Sequence, residues 1–168
     1  VRFISNHSSG KMGHEIAKEA AALGANVVLV TGPTQINLKN NSIKVVNVTT
    51  ADEMFEKCLS ELKKIDYLIM AAAVSDFKPK KISKTKIKKN IKKTFNLELV
   101  KNIDIISELS KLKKPNQKVI GFALETENEI VNAKNKLEKK QLDAIILNSI
   151  SDENTCFNSD KNKIHFIT

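Results

Sequence analysis

The residues with the most chemical reach lie in one short run, Asn6-His-Ser-Ser-Gly-Lys-Met-Gly13. It follows a strand-like start at residues 1–4 and opens a helical pattern. Serine and glycine at a helix start expose backbone N–H groups at the positive end of the helix dipole, where an anion such as phosphate can sit. Gly10 and Gly13 let a phosphate approach the backbone, with Ser8 and Ser9 beside them. The plainer reading makes Ser8 or Ser9 an N-cap and gives the glycines to packing. The run matches neither common nucleotide fingerprint. A P-loop needs an upstream glycine and a hydroxyl after its lysine, and both are missing here. A dinucleotide fold needs GxGxxG and an acid ending the next strand, but residues 26–30 run instead into Thr31-Gly32-Pro33.

Three further features carry charge. Asp76 closes an apolar strand, where an acid beside phosphates repels them unless a cation or a base donor intervenes. From residue 74 to 95 no apolar period is sustained and lysines crowd the chain, Lys86 among them. A connection of that length inside a compact domain is a functional loop or a disordered one. Lys136 and Lys140 lie one turn apart on one helix. They disfavour an isolated helix by roughly 0.2–0.5 kcal/mol, and an anion between them reverses that sign. The bland alternative for each lysine is a solvated face.

The elements that must position these residues alternate. Residues 26–30, 43–48, 66–73, 118–124 and 144–148 read as strands, and 163–168 begins another. Residues 10–23, 50–64, 102–112 and 128–140 carry helical spacing. Thr50 and Glu53 match a capping box. Alternation of this kind predicts a three-layer α/β domain, with a mostly parallel Rossmann-like sheet and helices on both faces. Such a sheet binds ligands beyond the carboxyl ends of its strands.

Composition narrows the classes. The chain has 168 residues, 41% hydrophobic, which suits one domain. No stretch approaches the ~20 apolar residues of a membrane span, and no basic-then-apolar leader opens the sequence. Cys58 and Cys156 form neither a CxxC pair nor a disulfide framework, as expected of a reduced cytoplasmic protein. The formal charge of +9 invites a nucleic-acid partner. However, Arg2 is the one arginine and aromatics make up 5%, against the arginine forks and stacking rings that nucleic-acid readers use. An anionic small ligand suits the charge equally well. The rival classes are a nicotinamide-dependent oxidoreductase and, behind it, a basic nucleic-acid-binding module.

The motifs, taken in order, resemble a known family. Arg2-Phe-Ile-Ser-Asn-His-Ser-Ser-Gly-Lys-Met-Gly13 is similar to the opening motif of bacterial phosphopantothenoylcysteine synthetase, the phosphopantothenate–cysteine ligase. Residues 24–33, Ala71-Ala-Ala-Val-Ser-Asp76, Lys86-Ile-Lys-Lys89, Val100-Lys-Asn-Ile-Asp-Ile105, Gly121-Phe-Ala-Leu-Glu-Thr126 and residues 143–148 follow in the family's order. The resemblance spans nearly the whole chain. It implies a CTP-dependent ligase of coenzyme A biosynthesis that works as a homodimer with Mg²⁺. The carboxylate of 4′-phosphopantothenate is activated as an acyl cytidylate and then captured by cysteine. In many bacteria this ligase is the C-terminal half of a bifunctional chain with a flavin-dependent decarboxylase. That half is not in this sequence, so no FMN is expected here. The family normally has a strand-turn before Val1 and helical sequence after Thr168, so residues 1–168 read as one ligase domain cut short at both ends.

The resemblance also implies roles. Asn6 donates to the acyl carbonyl during capture by cysteine, and Lys86 binds the triphosphate as the leading catalytic cation. Met70, Ala71 and Ala72 line the CTP site with their backbone, and Asp76 is a nucleotide contact or a Mg²⁺-linked group. Phe122 lies against the nucleotide, with Gly121 making room. Ile103, Asp104, Ile105 and Ile106 meet the ligand at a helix start that Asn102 caps. Lys136 and Lys140 reach the phosphates. Ser8, Ser9, Gly10 and Gly13 form the phosphate and intermediate loop. Ile103 stands where the family usually has proline, which costs some rigidity in the first turn.

Overall fold

The structure is a computed structural model describing residues 3–83, 85, 87, 94–125, 127–149 and 163–168. The helical patterns fold as α1 (Lys11–Ala22), α2 (Ala51–Leu62), α3 (Ile105–Leu112) and α4 (Glu129–Lys139). The strands are β1 (Val27–Thr31), β2 (Ile43–Asn47), β3 (Tyr67–Met70), β4 (Phe77–Pro79), β5 (Leu99–Lys101), β6 (Lys118–Glu125), β7 (Ala144–Ser149) and β8 (Ile164–Ile167). β1 and β2 pair in parallel, as do β3, β6 and β7 in that order, and β8 joins β7 antiparallel. This is the mostly parallel α/β arrangement that the alternation predicts, with helices on both faces.

Among the described residues no ladder joins β1 to β3, so the sheet comes as two parallel blocks. One core ties them together. Val30 and Val46 from the first block and Leu68 and Met70 from the second all pack on Met54, Cys58, Leu62, Ile105 and Leu109. Leu68 also reaches the second core under α4, where Val119, Ala123, Ala133, Ile145 and Leu147 are buried. A large aliphatic side chain buried this completely contributes roughly 1.5–3 kcal/mol. Cys58 belongs to the first core, and burial pushes its thiol up to about 11.

The capping box forms as expected. The Thr50 hydroxyl accepts from Glu53 N at 3.1 Å, and the Glu53 carboxylate accepts from Thr50 N at 3.3 Å. Such a cap holds a helix start to the extent of about 1 kcal/mol.

Four expectations need correction. Phe3 and Ile4 form no strand, and Phe3 is 80% exposed, because no neighbouring ladder receives them. The alternation is less regular than expected, with no helix between β1 and β2 (residues 32–42) or between β3 and β4. The lysine-rich stretch after Val74 is not a plain loop. Its β4 pairs antiparallel with β5, and bonds from Asn102 N to Asp76 O and from Lys80 N to Glu98 O continue the pairing at either end. Strands of three residues give no periodic signal. Finally, α3 is capped by Asp104, whose carboxylate accepts from Ser107 N at 3.3 Å, and not by Asn102.

The amino ends of β6 and β7 are closed by polar bonds. Asp143 accepts from Val119 N at 2.8 Å, from Lys118 Nζ at 3.0 Å and from Lys113 Nζ. Burial raises the Asp143 carboxyl, but these three donors outweigh it and bring the group down to about 2. Gln117, 3% exposed, donates to the carbonyls of Leu62 and Ile65.

Candidate active site

At the carboxyl ends of the parallel strands, residues 3–10 run across the sheet rim before entering α1. Two bonds fix this path. Asn6 Nδ2 donates to Val74 O at 3.1 Å, and Thr34 Oγ1 donates to Ser9 O at 2.9 Å. The loop therefore bridges the exits of β1 and β3, which belong to different blocks of the sheet. Gly13, one turn into α1, faces the Ala71 methyl group: a side chain there would meet it at 4.0 Å.

Gly10 is the N-cap of α1 and has φ +75°, the left-handed region that favours glycine. A Cβ at Gly10 would stand 3.4 Å from Thr34 Oγ1 and 3.6 Å from the ring of His14. That buried imidazole bonds Gly10 O through Nδ1 at 2.9 Å. The serines act one residue earlier than a standard cap. Ser8 Oγ accepts from Gly10 N and Ser9 Oγ from Lys11 N, each at 3.3 Å, and α1 itself has no side-chain cap. The first turn of the helix thus keeps N–H groups that no side chain satisfies, with two long and easily exchanged bonds just before them.

A cavity of ≈ 3090 Å³ opens beside this loop. Asn6, Ser8, Ser9, Gly10, Gly13, Met70, Ala71, Ala72 and Phe122 all line it. These nine expected site residues share an opening that also runs the full length of β1 and β3. Small or neutral groups make up this side, and a ligand meets backbone more than charge.

The other expected residues gather next to it rather than along it. Asp76 sits exposed at the corner between β3 and β4, two residues past the carbonyl that Asn6 bonds. Its backbone carbonyl accepts from Asn102 N at 2.8 Å. Asp104 pairs with Lys140 at 3.0 Å, joining the start of α3 to the end of α4. Burial raises the Asp104 carboxyl, yet the bonds from Lys140 and Ser107 leave it below its ordinary value. Lys136 pairs with Glu125 at the end of β6.

Lys136 and Lys140, two of the three lysines expected on phosphate, are therefore held by carboxylates, and a phosphate has to compete for them. Ile105 is buried in the first core, with Ile103 packed against it, and Ile106 packs on the second core. The Ile105 side chain is closed to a ligand, while those of Ile103 and Ile106 are only partly exposed. Gly121 makes room, but for packing: a Cβ there would come within 2.9 Å of both Ile106 and Leu142. Lys86 lies outside the described residues.

Sequence reasoning missed Thr34 and His14, which shape the glycine turn, and Glu125, the acid that holds Lys136. Only tertiary pairing reveals them. Among the described residues no group of three or more His, Cys, Asp or Glu side chains is placed to hold a metal. A hard cation bridging substrate phosphates needs only one or two protein carboxylates, so Asp76 fits that lesser demand.

The model of the DNA/pantothenate metabolism flavoprotein C-terminal domain matches residues 1–168. The chain belongs to that family. Among its relatives, a coenzyme A biosynthesis bifunctional protein CoaBC from Borreliella burgdorferi is 45% identical over 168 residues, covering 99% of this chain and 42% of the relative. A protein named cysteine/cysteine sulfinic acid decarboxylase, from an unknown prokaryotic organism, is 46% identical over 171 residues, covering 99% of this chain and 46% of its own length. The chain thus spans less than half of these relatives. The crystal structure of the C-terminal domain of a CoaBC protein superposes with a TM-score of 0.79 at 35% identity, covering 99% of this chain and 72% of that one.

Proposed function

We propose that this domain joins 4′-phosphopantothenate to cysteine in coenzyme A biosynthesis, using CTP. The observation that carries this reading is the bridge from Asn6 to Val74. It ties the glycine turn to the exit of β3 with its two alanines, beside one cavity that the Phe122 ring also lines. Such a rim suits two phosphate-bearing reactants that need to be held together, a task of positioning and charge compensation and not of a protein nucleophile.

The phosphopantothenate carboxylate attacks the α-phosphorus of CTP, and the bond to pyrophosphate breaks, leaving an acyl cytidylate. The cysteine amine then attacks the acyl carbon, loses a proton, and CMP departs. Asn6 offers its amide to the acyl oxygen as charge builds there. The α1 turn takes a phosphate, and Lys86, Lys136 and Lys140 offset the charge of the triphosphate. Asp76 would hold a bound Mg²⁺, which neutralises phosphate charge. In this reading the enzyme is a cytoplasmic homodimer, and the domain belongs to a longer chain with a flavin-dependent decarboxylase. Its partners are small molecules, with neither nucleic acid nor membrane.

The full-length protein, incubated with CTP, Mg²⁺, 4′-phosphopantothenate and cysteine, is expected to release pyrophosphate and form 4′-phosphopantothenoylcysteine, read by mass spectrometry. Lys86→Gln is expected to block pyrophosphate release. The reading fails if the unaltered protein makes no such product with any nucleoside triphosphate.

A further inference from the structure

Asn102 occupies the short link between β5 and α3, and none of the roles above uses it except the helix cap that Asp104 in fact supplies. Its backbone N–H donates to Asp76 O at 2.8 Å, and its side-chain Nδ2 donates to Ser75 O at 2.7 Å. Ser75 in turn donates its hydroxyl to Phe77 O at 2.8 Å. A single residue thus clasps the corner that carries Asp76 and hands the chain directly to the N-cap of α3.

The amide's orientation is settled by this contact, because a flipped group would set Oδ1 against the Ser75 carbonyl. The remaining oxygen, Asn102 Oδ1, is buried and has no hydrogen-bond partner, and it is the sole buried side-chain polar atom in that state among the described residues. An orphaned acceptor is a standing cost, and an apolar residue of similar size would fill the space without it. The clasp has to repay that cost. What it gains is not core packing, since the bonds it makes are to a surface corner.

We propose that Asn102 is a positioning residue of the nucleotide site, pinning Asp76 to the start of α3 so that both meet one ligand in a fixed relation. This rests on the reading that a nucleoside triphosphate binds there. Gln117 supplies the contrast: it is a fully buried amide whose side chain clasps two carbonyls of a distant segment, but at the amino ends of the strands.

The test measures pyrophosphate release by the full-length protein, varying CTP, 4′-phosphopantothenate and cysteine in turn. Asn102→Ala is expected to raise KM for CTP about tenfold, roughly the worth of one lost hydrogen bond, with kcat and the other two KM values within about twofold. Asn102→Asp keeps the shape but sets a carboxylate against the Ser75 carbonyl, and it is expected to do at least as much. Gln117→Met is expected to lower Tm and leave KM for CTP unchanged. A CTP KM that stays put in both Asn102 variants, or a loss spread evenly over kcat and all three KM values, overturns the proposal. An unaltered protein with no pyrophosphate release sinks the ligase reading instead, so the two failures stay distinct.

Discussion

The two ends of the same sheet treat their polar groups in opposite ways. At the amino ends of β6 and β7, Asp143 takes three donors, Gln117 spans two carbonyls, and Lys113 and Lys118 are both engaged. At the carboxyl ends, the backbone N–H groups of Gly10 and Lys11 meet serine hydroxyls at 3.3 Å, Asn102 has an orphaned oxygen, and Asn6 lies exposed on the cavity. Composition does not separate these ends, since lysine is common at both. What separates the rim loop and Asn102 from the amino ends is whether the hydrogen-bonding capacity is used up within the protein, although Lys136 and Lys140 are themselves held by carboxylates. Where it is used up, it stabilises the fold; where it is left over, a ligand can use it.

The sharpest way to break that contrast is at Asn6. Asn6→Asp should lower ligation by ~10²–10³-fold, the usual effect of losing one donor to a developing oxyanion. Pyrophosphate release should persist, with the acyl cytidylate accumulating in rapid-quench samples, and Tm should fall slightly because the new carboxylate faces the Val74 carbonyl and loses that bond. Normal product formation without accumulation would remove Asn6 from the mechanism.

The second break is at the closed end. Asp143→Asn should cost roughly 1–3 kcal/mol of unfolding free energy in urea titrations, because a tightly bonded carboxylate loses its charge and partners, while KM for CTP stays the same. The sign with pH follows from the lowered carboxyl. Asp143 binds its proton more weakly when folded, so its contribution is fully present above the ordinary carboxylate range and drains away as pH falls towards about 2. The Asn variant should show a flatter stability curve across that interval.

Gly121→Ala stands between the two ends in effect. The new methyl meets Ile106 and Leu142 at 2.9 Å, both flexible tips, so overpacking should cost about 1–3 kcal/mol. Because Ile106 belongs to the first turn of α3, CTP affinity should drop with stability here. If only Tm moved, α3 would not touch the ligand.

The smallest effect sharpens the comparison. Asp104→Asn frees Lys140 from a partly exposed pair worth under ~1 kcal/mol. Stability should change little, and CTP should bind a few-fold tighter at low salt, measured by calorimetry. Weaker binding would show that Asp104 holds the lysine for the ligand rather than from it.

Much of this was legible in the sequence wherever the signal is local. The strands at 43–48 and 118–124 and the capping box at Thr50 and Glu53 follow from side-chain type and spacing within a few residues. The glycine turn was readable for the same reason, since a left-handed residue at a helix entrance favours Gly10. The failures are non-local. Phe3 and Ile4 have a strand's composition, but a strand also needs a neighbour. β4 and β5 are too short to show a period, and they are set by a clasp between Ser75 and Asn102, 27 residues apart. Asn102 and Asp104 are both good caps, and only the fold shows that the first is already committed elsewhere. Lys136 and Lys140 announced themselves, whereas the acids that hold them lie on other elements.

The buried thiol of Cys58 has a practical consequence. With its proton held up to about 11 and α2 packed over it, it reacts slowly with an alkylating reagent while the helix stays seated. In a Cys156→Ser background, the labelling rate at that one sulfur would time how often α2 lifts off the core it shares with both blocks of the sheet.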